Sequence, residues 1–179
     1  MNTGQMMLTI GAMMLLTFLI LRVNSTQLLS QGTIVDSKLG IVALTVANTY
    51  VDYAKRQVYD KAVFDSTISI VGLTDLTDPG SLGPESGEVY PLLNDVDDFN
   101  LWDPALGRNI VITDTSSLSN SINTNLYTPF YITSKVYYVD ISNLNQKVNY
   151  KTWFKRLDVF IWTDGIEDTL KYSSISTIW

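Results

Sequence analysis

The ten residues NDVDDFNLWD hold six oxygen-bearing side chains: Asn94, Asp95, Asp97, Asp98, Asn100 and Asp103. Hard cations take about six to eight carboxylate and carbonyl oxygens, so this is a donor set of the kind Ca2+ accepts. The stretch lacks the glycine and terminal glutamate of an EF-hand loop. Between Lys61 and Arg108 there is no basic residue and there are nine of the chain's 18 acidic ones, so nothing local in sequence offsets the repulsion among these carboxylates. The plainer expectation is a solvated acidic loop with Phe99 and Trp102 tucked against a sheet. Calcium is expected to bind weakly if at all, acting on loop stability, and no other cofactor is expected.

Little other chemistry is available. The chain has no Cys and no His, which removes Ser-His-Asp and Cys-His catalysis, thiolate or imidazole zinc sites, disulfides and histidine pH switches. Asp97 and Asp98 are paired carboxylates, but glycoside hydrolysis needs two carboxyls converging across a cleft. Ser134 and Lys135 are no Ser-Lys dyad, since neighbours on a strand point to opposite faces. Neither enzyme activity nor a small-molecule substrate is expected. A net charge of −6 and a pI near 4.4 argue against nucleic acid, which needs a basic patch to displace counterions.

The elements that must position the acidic loop start with an apolar run. At 179 residues, 46% hydrophobic and 17% charged, the chain suits one core plus an appendage. Gln5 to Leu21 carries no charge, and all five methionines lie within the first fourteen residues. Gly4 to Val23 as a helix is about 30 Å long, the thickness of a bilayer's hydrocarbon core. A cleaved secretory signal needs a basic start and a small-residue cleavage site, which MNTGQ and RVNSTQ do not supply. Arg22 alone votes on orientation, for its own side facing the cytoplasm.

Beyond a polar stretch, Leu39, Val42, Val46, Tyr50 and Tyr53 recur at spacings of three and four. Ala43, Ala47, Val51, Ala54 and Val58 run beside them, while Asp52, Lys55, Arg56, Asp60 and Lys61 hold the other side. This is an amphipathic helix over 34–64. With no Pro before position 79, it can continue from the apolar run as one rod of about fifty to sixty residues, loosened near 24–33 or at Gly32 and Gly40. A coiled-coil stalk is the competing reading, but the heptad pattern is not sustained.

From Ser66 the pattern changes. STISIVGLT alternates like a strand, and residues 74–107 form a turn-rich acidic loop holding four of the five prolines. Over 109–179, NIVITDT, PFYITSKVYYVDI, TWFKRLDVFIWTD and TLKYSSISTIW read as strands, with Asp164-Gly165 as a turn and the last three strands as an antiparallel meander. Alternation puts Leu157, Val159 and Ile161 on the face expected to meet the helix, and Arg156, Asp158, Phe160 and Trp162 on the other. The fold class is therefore α+β, with a segment 1–31 for membrane or filament core and a globular domain 32–179.

A long helix, apolar in its first half and packed on a C-terminal antiparallel sheet in its second, resembles the lollipop of type IV pilins and pseudopilins. Three segments carry the resemblance: TVANTYVDYAKRQVYDKAVFD, LGPESGEVYPLLNDVDDFN, and the pair VYYVDI and YKTWFKRLDVFIW. The loop is similar to that of accessory subunits of mannose-sensitive-haemagglutinin-type pili. Where the family carries a glutamate fifth from the processed terminus, a cut after Gly4 would put Thr9 fifth, and counting from Met1 puts Gln5 there. The resemblance implies a subunit that waits in the bacterial inner membrane and then polymerises with itself into an extracellular helical filament. Gly4, Gln5, Met6, Leu8, Gly11, Ala12, Leu15, Phe18 and Leu19 would form its assembly surface, the small residues permitting close approach and Met and Leu filling gaps. The alternative is a single-pass anchor carrying an extracytoplasmic domain.

Overall fold

The computed structural model describes residues 2–64, 72–104, 107–114, 129–164 and 168–178. Helix α1 runs unbroken from Thr3 to Arg56, so neither the polar stretch nor Gly32 and Gly40 interrupts it. The chain divides into two compact units, Met1–Leu39 and Gly40–Trp179. Within the first unit the described residues up to Lys38 are exposed. Hydroxyls there bond back into the helix: Thr9 donates to the Met6 carbonyl and Thr17 to the Met13 carbonyl, each at 2.9 Å.

Within the second unit the expected apolar face is the buried one: Val42, Ala43, Val46, Ala47, Tyr50, Val51 and Ala54 are buried. The helix stops eight residues earlier than the periodicity predicts, at Arg56 rather than position 64. Val58 leaves the helix to form a parallel bridge with Asp95, its N–H donating to the Asn94 carbonyl and its own carbonyl accepting from Val96 at 2.9 Å. A short helix α2, Lys61–Phe64, then begins with the Asp60 carboxylate accepting from the Ala62 N–H at 3.1 Å. Asp60 was expected on the solvated side. It is buried instead.

The sheet is antiparallel. After a two-stranded ribbon of β1 (Trp102–Asp103) and β2 (Arg108–Asn109), strands β3 (Ile112–Asp114), β4 (Phe130–Asp140), β6 (Phe154–Trp162) and β7 (Leu170–Thr177) lie in that order. Strand β5 (Asn143–Lys147) pairs with the far end of β4. It occupies residues between PFYITSKVYYVDI and TWFKRLDVFIWTD that the strand reading left out. Register places Ile132 opposite Ile161, Ser134 opposite Val159, Val136 opposite Leu157 and Tyr138 opposite Lys155, all of them buried. The inner face of β6 is thus the expected one, extended by a lysine. The α+β class holds, with the helix packed on the sheet. Most of STISIVGLT, and Gly165 of the expected turn, lie outside the described residues, while Leu73–Asp75 is a single 3-10 turn.

Candidate functional site, an acidic loop closed by a buried lysine

The edge of β4 opposite β6 is shared by β3 and β5, which leaves its middle without a strand partner. The acidic loop fills that gap. Leu101 donates its N–H to the Ser134 carbonyl at 3.1 Å, and the Asn100 side-chain oxygen accepts from the Val136 N–H at 3.2 Å. A buried backbone edge needs such partners, so the loop is part of the sheet's hydrogen-bonding scheme.

Aromatic packing fixes the loop to α1. Phe99, fully buried, meets the rings of Tyr50 and Tyr53 edge-on at 5.4 and 5.7 Å, and Tyr90 lies 6.0 Å from each of the same two tyrosines. The Tyr53 hydroxyl donates to the Pro91 carbonyl. Phe99, expected against the sheet, accepts at its carbonyl from the Ser134 hydroxyl of β4 and packs its ring on the helix tyrosines, while Trp102 is half-buried in β1.

Three of the loop's carboxylates, Asp95, Asp97 and Asp98, are buried rather than solvated as the plainer reading expected, and the Asn100 amide is buried with them. What relieves the charge of Asp97 comes from the sheet. Lys155 on β6 is buried, and its ammonium lies 2.8 Å from Asp97 Oδ1, 2.8 Å from Asp60 Oδ2 and 2.9 Å from the Tyr59 carbonyl. The ring of Tyr59 stands 4.6 Å and that of Tyr138 5.6 Å from the same ammonium. Three oxygens take its three protons, and two aromatic faces enclose it. Asp60 also accepts from the Thr77 N–H at 3.0 Å. Burial opposes ionisation of Asp60, but the Lys155 charge and these hydrogen bonds outweigh it and hold the carboxyl below its ordinary range.

Asp95 and Asp98 form a second group. Asp98 Oδ2 accepts from the Asn94 and Asp95 N–H groups at 2.9 and 3.2 Å, and Asp95 Oδ1 accepts from the Asp98 N–H at 3.1 Å. The other oxygen of each, Asp95 Oδ2 and Asp98 Oδ1, has no hydrogen-bond partner. Burial first, and then the neighbouring Asp97 carboxylate, push the Asp95 carboxyl far above its usual range, so it keeps its proton at neutral pH. Burial likewise raises Asp98.

The six residues offered by the sequence as cation ligands therefore divide. Asp97 is held by Lys155, Asn100 bonds the Leu82 carbonyl and the Val136 N–H, and Asp103 lies on β1. Among the described residues, the group of three carboxylates whose oxygens approach within 4.8 Å of one another is Glu85, Glu88 and Asp98, with Asn94 touching Glu88 through its side-chain amide. Glu85 and Glu88 precede the predicted stretch and were missed. Their spacing of three across a Gly-Pro-rich segment was the available signal.

On the outer sheet face a groove of about 470 Å3 is lined by Trp102, Val111, Thr133, Lys135, Phe160 and Trp162. Among these described residues Lys135 is the titratable one, so they offer no acid-base pair. The assembly residues lie in the first unit of α1, and Gly4 and Gly11 have nothing within 4 Å of where a side chain would start. No protein-family model, curated protein or solved structure matches the chain, so its function must be read from these two surfaces, the exposed helix and the lysine-closed loop.

Proposed function

We propose that this chain is a structural subunit of an extracellular helical filament, of the type IV pilus or pseudopilus kind, which sits in a membrane through the first part of α1 and assembles through the same surface. One stretch of α1 is long and apolar enough to cross a membrane. The observation that favours assembly over a plain anchor is where apolar exposure ends. A bilayer covers about 20 helical residues. Yet beyond Val23 the helix still exposes Leu28, Leu29, Ile34, Val35, Ile41 and Leu44, between 43% and 74% each. Lipid around Gly4–Val23 leaves those side chains in water, whereas helices of neighbouring copies cover both lengths at once. Each large side chain so buried contributes about 1.5–3 kcal/mol. Internal bonding of Thr9 and Thr17 leaves no hydroxyl in need of water there.

The single-pass anchor remains the second reading, favoured by the apolar span itself. Gly11→Leu separates the two. Its side chain meets nothing within the chain, so the subunit folds and inserts normally, while close approach of a second helix is blocked. Negative-stain electron microscopy of sheared cell-surface material should show fibres containing the wild-type chain and few or none from the variant. Fibres at normal yield from Gly11→Leu, or no fibres from wild type, would defeat the filament reading.

A further inference from the structure

We propose that Glu85, Glu88 and Asp98 bind a divalent cation of the calcium class, with Asp98 as the buried ligand and the two glutamates closing the site from the surface. Four observations lead there. The three carboxylates present oxygens within 4.8 Å of one another, a span that a single Ca2+ bridges with bonds of about 2.3–2.6 Å. Asp98 is 1% exposed, and its Oδ1 has no hydrogen-bond partner while Oδ2 already accepts two N–H bonds. A buried carboxylate oxygen left so is costly unless a proton or a cation meets it.

Lys155 is committed to Asp60 and Asp97, and Lys61 meets Glu85 at 3.2 Å from an exposed position, where water screens it. Finally, the donors are all oxygen. Carboxylates with no imidazole or thiolate select hard cations over zinc or copper. The Asn94 side chain against Glu88 adds an amide whose oxygen and nitrogen exchange places on a half-turn, giving a neutral ligand beside the charged ones. Open coordination positions face solvent and take water.

The site differs from the six-residue set read in the sequence, sharing only Asn94 and Asp98 with it. It does not depend on filament formation. The test uses the full chain in detergent micelles, titrated with CaCl2 by calorimetry and melted in CaCl2, MgCl2 and EDTA. Wild type should bind one Ca2+ with Kd of about 10⁻⁴–10⁻³ M and melt several degrees higher in millimolar calcium than in EDTA. The double variant Glu85→Gln/Glu88→Gln, changed only at the surface, should stay folded in EDTA and lose the calcium shift. Asp103→Asn, outside the cluster, should keep it. No calcium heat and no shift in wild type would overturn the proposal, as would an equal shift in the double glutamine variant or loss of the shift in Asp103→Asn.

Discussion

The ammonium of Lys155 and the carboxylate of Asp97 stand 2.8 Å apart, although 58 residues separate them in the chain. Together with Asp60, 95 residues from the lysine, they tie three segments into one buried ion cluster: the link between α1 and α2, the acidic loop and the second long strand of the sheet. A desolvated cation between two carboxylates contributes little net stability over an apolar filling, but removing one partner strands the others. Any other docking of the loop would leave one of these charges buried and unpaired, which disfavours it.

Lys155→Met is expected to destabilise the protein by about 3–5 kcal/mol, because Asp60 and Asp97 are left buried and unpaired. Adding Asp60→Asn and Asp97→Asn removes the stranded charges and should recover much of that loss. Urea unfolding followed by tryptophan fluorescence measures both. A single variant within about 1 kcal/mol of wild type would mean that the lysine is not desolvated in the folded chain.

Asp95 gives the protein an inverse pH dependence. Its folded pKa lies above its unfolded value of about 3.8, so the folded state holds a proton that the unfolded state releases. The contribution is fully present below the unfolded pKa and is lost as pH rises through the folded one, at about 1.4 kcal/mol per pH unit for one group. Asp95→Asn keeps a neutral side chain of the same shape and removes that slope. Measured in EDTA, the variant should match wild type near pH 4 and exceed it at pH 7. A variant less stable than wild type at pH 7 would contradict a protonated Asp95.

Ser134 and Tyr50 should respond unequally. The Ser134 hydroxyl donates to the Phe99 carbonyl at 2.6 Å and lies 2.8 Å from the Tyr50 hydroxyl, all in the buried seam of helix, loop and sheet. Tyr50→Phe removes one bond and leaves Ser134 its carbonyl acceptor, so a loss of about 1 kcal/mol is expected. Ser134→Ala strands the Tyr50 hydroxyl and leaves the Phe99 carbonyl with the Leu101 N–H alone, at 3.0 Å, so it should cost more, about 2–3 kcal/mol. Thermal melting of the two variants side by side checks the order. Equal losses would mean that the Leu101 N–H alone satisfies the Phe99 carbonyl and that the Tyr50 hydroxyl finds another partner.

Much of the architecture was legible in the residues taken alone. The spacing of Val42, Val46 and Tyr50 names the buried stripe of α1, because an amphipathic helix has one way to hide such a stripe. Alternation through Leu157, Val159 and Ile161 names the inner face of β6. The same period, run back by two, places Lys155 on that face as well, so the sign of an unusual buried charge was present two residues upstream of the apolar run. Strand β5 was not legible. Asn143, Asn145, Gln146 and Lys147 are weak strand formers on an exposed edge, and pairing with β4 rather than their own preference makes them a strand.

The halt of the helix at Arg56 and the fate of the acidic loop were decided only in three dimensions. Helical periodicity continues to Val58, but the bridge of Val58 to Asp95 and the burial of Asp60 outweigh one more turn of backbone bonds. Composition marked the loop as acidic and locally unrelieved, which is true along the chain. Charges act through space, however, and local order tells which face a side chain takes without telling which distant segment will lie opposite. Lys155 reaches Asp60 and Asp97 because sheet register and helix packing bring the three together, and that juxtaposition exists only once the core has formed.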